Sequence, residues 1–183
     1  MEELVRYRRK NQRGFTLIEL LVVVSLIIIV VGVSGDIVVS LIRSYNKTQI
    51  TNEVEQNANF VMTKLEKELR NASAVTSLTS TDLVFTRGLP TGSLETITYT
   101  IKSDGTITRQ ITGSGLGKVL LINNSTPDGV YLDPDASFFT DETVAGGPTV
   151  VKINLSFRQI GTPTVQFTQN VDLESTIVVR GSY

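Results

Sequence analysis

The chain has 183 residues and a formal net charge of −1, with 17 Lys and Arg against 18 Asp and Glu. That length suits one domain of ordinary size, or a small domain with an anchor, and the charge gives no overall basic footprint for nucleic acid. Cys and His are both absent, which excludes disulfides, thiol nucleophiles, Cys/His zinc sites and His-dependent triads.

The charge is unevenly placed. Residues 1–14 hold five of the 17 basic residues (Arg6, Arg8, Arg9, Lys10, Arg13) and two of the 18 acidic ones, leaving 12 basic and 16 acidic residues for the remainder. A basic cap before an apolar segment predicts a cytoplasmic N-terminus under the positive-inside rule. From Phe15 to Val33 the apolar run is interrupted only by Thr16, Glu19, Ser25 and Gly32. A membrane span needs about 20 such residues to cross roughly 30 Å of hydrocarbon. A secretory signal has a shorter apolar region and a small-residue cleavage site after it. The Gly32–Ser34 stretch is the best candidate for such a site, but the clear glycine signal, Gly14, lies before the run.

Glu19 is the most informative residue. A carboxylate in an apolar helix costs roughly 2.5 kcal/mol or more on insertion, so it marks function by default. A cut after Gly14 would create an α-amino group at Phe15. Phe15 and Glu19 are then i and i+4 on one helix face. Ammonium and carboxylate could neutralise each other within one chain or between neighbouring chains.

The basic leader, Gly14, Phe15 and Glu19 together resemble the class III signal peptide of type IV pilins and of the pseudopilins of type II secretion and DNA-uptake machines. The resemblance implies that a prepilin peptidase cuts between Gly14 and Phe15 and N-methylates Phe15, and that Glu19 sets subunit register during assembly. It implies other pilin or pseudopilin subunits and a membrane assembly platform as partners, no cofactor, and residence in the cytoplasmic membrane before a surface or periplasmic filament. Many pilins carry a helix-breaking region past the apolar run. Gly32, Gly35 and Asp36 occupy that place here and predict a bend or local melting; close helix packing through small residues is the other reading.

Further along, Ile50, Val54, Ala58, Val61, Leu65, Leu69 and Ala72 recur at spacings of three and four, the stripe of an amphipathic helix packed on a core. Glu53, Glu55, Lys64, Glu66, Lys67, Glu68 and Arg70 fall off that stripe. No proline occurs before Pro90, so one long helix ending near Asn71–Ser73 is expected. After Ser73 helical spacing vanishes. Leu83–Phe85, Thr96–Ile101, Thr106–Ile111, Lys118–Ile122, Val130–Leu132, Thr149–Gln159, Val165–Phe167 and Thr176–Val179 read as strands, and Ser103-Asp104-Gly105 as a hairpin turn. The expected fold is α+β, a helix followed by an antiparallel meander. It divides into a leader (1–14), a membrane or stem helix (15–35), an amphipathic half-helix (36–72) and a β-rich head (73–183). The order of head elements also resembles the minor PilW-like, J-type and competence-type subunits.

Chemistry in the head is sparse. Asp133, Asp135, Asp141 and Glu142 are candidate calcium ligands, although their spacing fits no EF-hand and a solvated acidic loop is the alternative. Gly113-Ser114-Gly115-Leu116-Gly117 lacks the context and the Lys-Ser/Thr ending of a phosphate-binding loop. No base stands ready to activate a nucleophile, so an enzyme is not expected. A structural minor subunit of a pilus or pseudopilus is the leading reading. The second is a single-pass anchored adhesin, sensor or binding module with its leader uncut, and the third is a secreted enzyme with a conventional signal, which the absence of His and Cys disfavours.

Overall fold

One α-helix, α1, runs 54 residues from Leu17 to Arg70. The computed structural model describes residues 14–112, 117–122, 129–160 and 170–180. The basic leader, the glycine-rich Gly113–Leu116, Asn123-Asn124 and the strand expected at Val165–Phe167 lie outside the described residues. The chain divides into two units, Met1–Tyr45 and Asn46–Tyr183.

In the first unit the described residues from Leu17 to Tyr45 are helical, and every side chain is exposed. Among the described residues α1 is the one helix long and apolar enough to cross a membrane. The hydroxyls of Ser25 and Ser34 donate to the carbonyls of Leu21 and Val30 at 2.8 and 2.7 Å. Their polar groups are therefore satisfied within the helix, as an apolar surrounding requires. The helix is unbroken through Gly32, Gly35 and Asp36 in this single chain. Both glycines face open space, so nothing in the chain itself bends the helix there.

In the second unit the expected stripe is the buried face. Val54, Ala58, Val61, Leu65, Leu69 and Ala72 are buried, joined by Met62 and Glu68. Among the described residues nine strands follow: β1 (Ala74–Leu78), β2 (Asp82–Gly88), β3 (Leu94–Ile101), β4 (Ile107–Thr112), β5 (Val119–Leu120), β6 (Val130–Leu132), β7 (Phe138–Asp141), β8 (Val150–Gln159) and β9 (Val171–Val178). The first five form an antiparallel sheet in sequence order. The expected apolar strand at 118–122 is shorter than its pattern suggests. Val119 and Leu120 pair with β4, the Leu121 N–H still donates to the Ile107 carbonyl at 3.0 Å, and Leu121 and Ile122 are buried.

The second sheet is built on β8. One edge of β8 pairs with β9 from Val150 to Phe157. The other pairs with β7 across Val151–Asn154 and with β6 across Phe157–Gln159. β6 and β7 thus lie end to end, like one strand interrupted at 133–137. The interruption is stitched to Ser156: Asp133 donates its N–H to the Ser156 carbonyl at 2.8 Å, and the Ser156 N–H donates to the Ser137 hydroxyl at 2.9 Å. Side chains from α1 and both sheets meet in one core, including Leu65, Leu69, Phe85, Tyr99, Leu132, Ile153 and Phe157. The Phe85 and Tyr99 rings stack with centroids 6.1 Å apart. The α+β architecture is a long N-terminal helix packed on antiparallel sheet.

The hairpin turn expected at 103–105 is present and joins the sheets. Gly105 has φ +77° and donates to the Lys102 carbonyl at 3.1 Å. Its own carbonyl accepts the Leu132 N–H at 2.8 Å. A Cβ at Gly105 would stand 1.9 Å from the Tyr131 ring, whose face carries the Arg158 guanidinium 4.5 Å from its centroid. Glycine is required here twice, for the left-handed backbone and for the space. Gly105→Ala is expected to lower the unfolding free energy by about 3 kcal/mol, combining strain and overpacking. Gly92→Ala has the same backbone strain, φ +81°, with nothing near its Cβ, and should cost only about 1 kcal/mol. Denaturant titration of the two variants side by side measures the difference.

Candidate functional site

The chain enters α1 through a short non-helical segment. Gly14, Phe15 and Thr16 precede the first helical residue and are exposed. Thr16 is the N-cap. The Glu19 backbone N–H donates to the Thr16 hydroxyl at 3.3 Å, and a Glu19 carboxylate oxygen accepts from the Thr16 N–H at 3.2 Å and from its hydroxyl at 3.1 Å. This is a reciprocal capping box, which satisfies orphan donors of the first turn and puts a negative charge at the positive end of the helix dipole. The signal for it, Thr-x-x-Glu before an apolar run, is present in the sequence, but the sequence reading assigned Glu19 to a terminal amine and missed the cap.

The geometry serves both partners. The Gly14–Phe15 bond lies just outside the helix, where no helical hydrogen bond ties it down. The carboxylate folds back toward the same point. With Thr16 N already 3.2 Å from a Glu19 oxygen, the Phe15 nitrogen is only one residue further along the chain. Nothing lies within 4 Å of where a Cβ at Gly14 would be, so the chain's own packing does not demand glycine there.

The acidic candidates of the head do not come together. Asp133 and Asp135 belong to the turn before β7, with the Asp133 carboxylate accepting the Asp135 N–H at 3.1 Å. Asp141 ends β7 and accepts the Thr143 N–H at 2.9 Å, and Glu142 follows it. The intervening strand separates the two pairs by about 10 Å. Among the described residues no group of three or more such side chains can hold a metal ion, which corrects the expectation that these four share one loop. The Asp141 carboxyl is held below its usual range by the Thr143 hydroxyl and then by the Thr143 backbone.

The polar centre of the second unit is one that the sequence reading missed. Glu68, placed off the apolar stripe, is only 9 % exposed. Its carboxylate accepts from the Tyr99 hydroxyl at 2.7 Å and from Arg109 Nε at 2.8 Å. Burial first, then the Glu68 carboxylate, push the Tyr99 hydroxyl far above its usual pKa. Burial alone would lower Arg109, but the Glu68 carboxylate outweighs it and holds the guanidinium above its usual value. No signal short of the fold could reveal the cluster, since Arg109 lies 41 residues beyond Glu68. It ties α1 to β3 and β4. A second tie runs from the Ser175 hydroxyl to Glu66. On the surface, Lys152 is raised by its 2.9 Å contact with Glu174.

Residues 9–35 match the family model of the prokaryotic N-terminal methylation motif. The match covers the Gly14–Phe15 junction, the capping box and the apolar run, and it supports a type IV pilin-like, structural protein anchored through its N-terminal helix. No curated protein and no solved structure matches the chain.

Two outcomes follow from this geometry. Thr16→Ala should remove about 1 kcal/mol from the first turn, read as faster amide exchange at residues 17–20. The folded second unit keeps the Tyr99 proton at pH values where the unfolded chain loses it, near 10. The folded state therefore binds more protons above pH 10, and stability should fall as pH rises from there. Tyr99→Phe should flatten that slope in unfolding titrations across the alkaline range.

Proposed function

We propose that the chain is the precursor of a pilin or pseudopilin subunit, cut between Gly14 and Phe15, N-methylated at Phe15 and assembled through α1 into a filament. The observation that carries this reading is the junction itself. An exposed, non-helical Gly14–Phe15 bond sits directly before an apolar helix whose first turn holds the single carboxylate of the run, already folded back toward the junction. Cleavage would replace a neutral peptide by an ammonium beside that carboxylate. In an apolar surrounding, an unpaired Glu19 would carry a large insertion cost, and pairing with an ammonium removes most of it. Pairing with the amine of a neighbouring subunit would fix the register of one stem on the next.

The partners on this reading are prepilin peptidase, the membrane assembly platform and other subunits with similar stems. The leader stays on the cytoplasmic side and the head on the far side, ending in a surface or periplasmic filament. The force would come from the assembly machine, because this chain contributes a stem, a charge pair and a head. The irregular head and the absence of a disulfide-bounded loop favour a minor subunit serving secretion, DNA uptake or adhesion.

Intact mass and N-terminal sequence of the chain from its native membrane should give a start at N-methylated Phe15. A start at Met1 would leave the anchored binding module instead. Glu19→Ala is expected to be cleaved normally yet to fail in assembly, read by the yield of sheared filaments. Normal filament yield from Glu19→Ala would sink the register pair.

A further inference from the structure

The apolar part of α1 continues past the length that a membrane needs. Beyond Val33 come Ile37, Val38, Val39, Leu41, Ile42 and Tyr45, each at least 47 % exposed. About 20 residues from Phe15 already cross the hydrocarbon, so this second apolar band calls for a protein surface. Two opposite charges stand within it, Asp36 and Arg43, both exposed. Among the described residues neither has an ion-pair or hydrogen-bond partner. Their helical neighbours at three and four positions are Val33, Gly32, Val39 and Ser40 for Asp36, and Ser40, Val39, Asn46 and Lys47 for Arg43. None supplies the opposite charge.

Asp36 and Arg43 are seven residues apart. They share a helix face to within about 20° and are separated by about 10.5 Å along the axis. That is too far for a pair within one helix, where partners sit at three or four residues. Burying either charge alone against an apolar neighbour would be costly. A parallel copy shifted by seven residues removes both problems, because it brings its Asp36 level with Arg43 of the first. In a bundle of parallel helices one face of each looks toward the common axis, so two charges on that face can meet.

We infer that the Asp36–Arg43 face of α1 is an interface between copies of this chain, packed parallel with a stagger of seven residues and locked by an intermolecular Asp36–Arg43 ion pair. The inference rests on assembly through the stem. The same offset places Phe15 of the higher copy level with Val22 of the lower, about 4.5 Å along the axis from the level of Glu19.

Because the chain has no Cys, single cysteines report the stagger directly. Full-length Asp36→Cys and Arg43→Cys chains carrying different tags would be co-produced in the native membrane and treated with a short bifunctional thiol reagent. The mixed 36–43 product is expected to exceed the 36–36 and 43–43 products by about tenfold, and Asp36→Arg or Arg43→Asp alone should cut filament yield by about tenfold, with the Asp36→Arg/Arg43→Asp double variant restoring it. Same-level products at equal or higher yield would overturn the stagger. Processed chains that crosslink to other proteins but not to each other would overturn the choice of partner. Mass analysis of the same sample separates the two readings: a 36–43 product from chains that still begin at Met1 would uphold the interface while the cleavage reading fails.

Discussion

The buried carboxylate of Glu68 is the contact on which the second unit depends. A helix with an apolar stripe can slide or roll on a sheet at small cost, since apolar contacts are non-directional. A carboxylate held between Tyr99 of β3 and Arg109 of β4 allows one position only. Removing any one of the three leaves a desolvated polar group without its partner, which is far costlier than losing contact area. The stripe thus supplies the adhesion, and Glu68 supplies the address. Leu65 and Leu69, on either side of Glu68, belong to the same core as Phe85 and Tyr99.

The first turn of α1 obeys the same logic on a smaller scale. Glu19 is usefully placed because Thr16 holds it there. A capping carboxylate is an ordinary stabiliser of a helix start, worth about 1 kcal/mol. In an apolar run it has a second consequence on the proposed cleavage after Gly14, since it would be the one side-chain carboxylate near the new terminal ammonium. Helix initiation and the chemistry of the junction therefore share a side chain.

Much of this was legible in the sequence, and the failures have physical reasons. The stripe from Val54 to Ala72 was readable because burial against a core imposes a period of 3.6 on one face. The hairpin of β3 and β4 was readable from strict alternation around Ser103-Asp104-Gly105. β1 and β7 were not expected. Ala74–Leu78 alternates no apolar residues strongly enough, and Phe138–Asp141 is a strand only because β8 offers it an edge. Glu68 read as solvent-facing because its charge is the sole local information, while its partners are set by topology. The acidic residues were grouped by nearness in sequence, and β7 then carried them apart. Gly32, Gly35 and Asp36 were read as a place where the helix bends or melts in a filament, and in the single chain α1 is continuous there.

The two sheets also differ in when they can exist. In the first, each strand pairs with the next, so every hairpin can close as soon as it is available. In the second, among the described residues, β6 and β7 have no ladder until β8 arrives, and the other edge of β8 awaits β9. A chain emerging N-terminus first would carry a finished meander beside two strands with bare edges. Until Gln159 has emerged those two edges are open to wrong partners. The interrupted strand at 133–137 shortens each bare edge to three or four residues, a length too small to template a foreign strand for long.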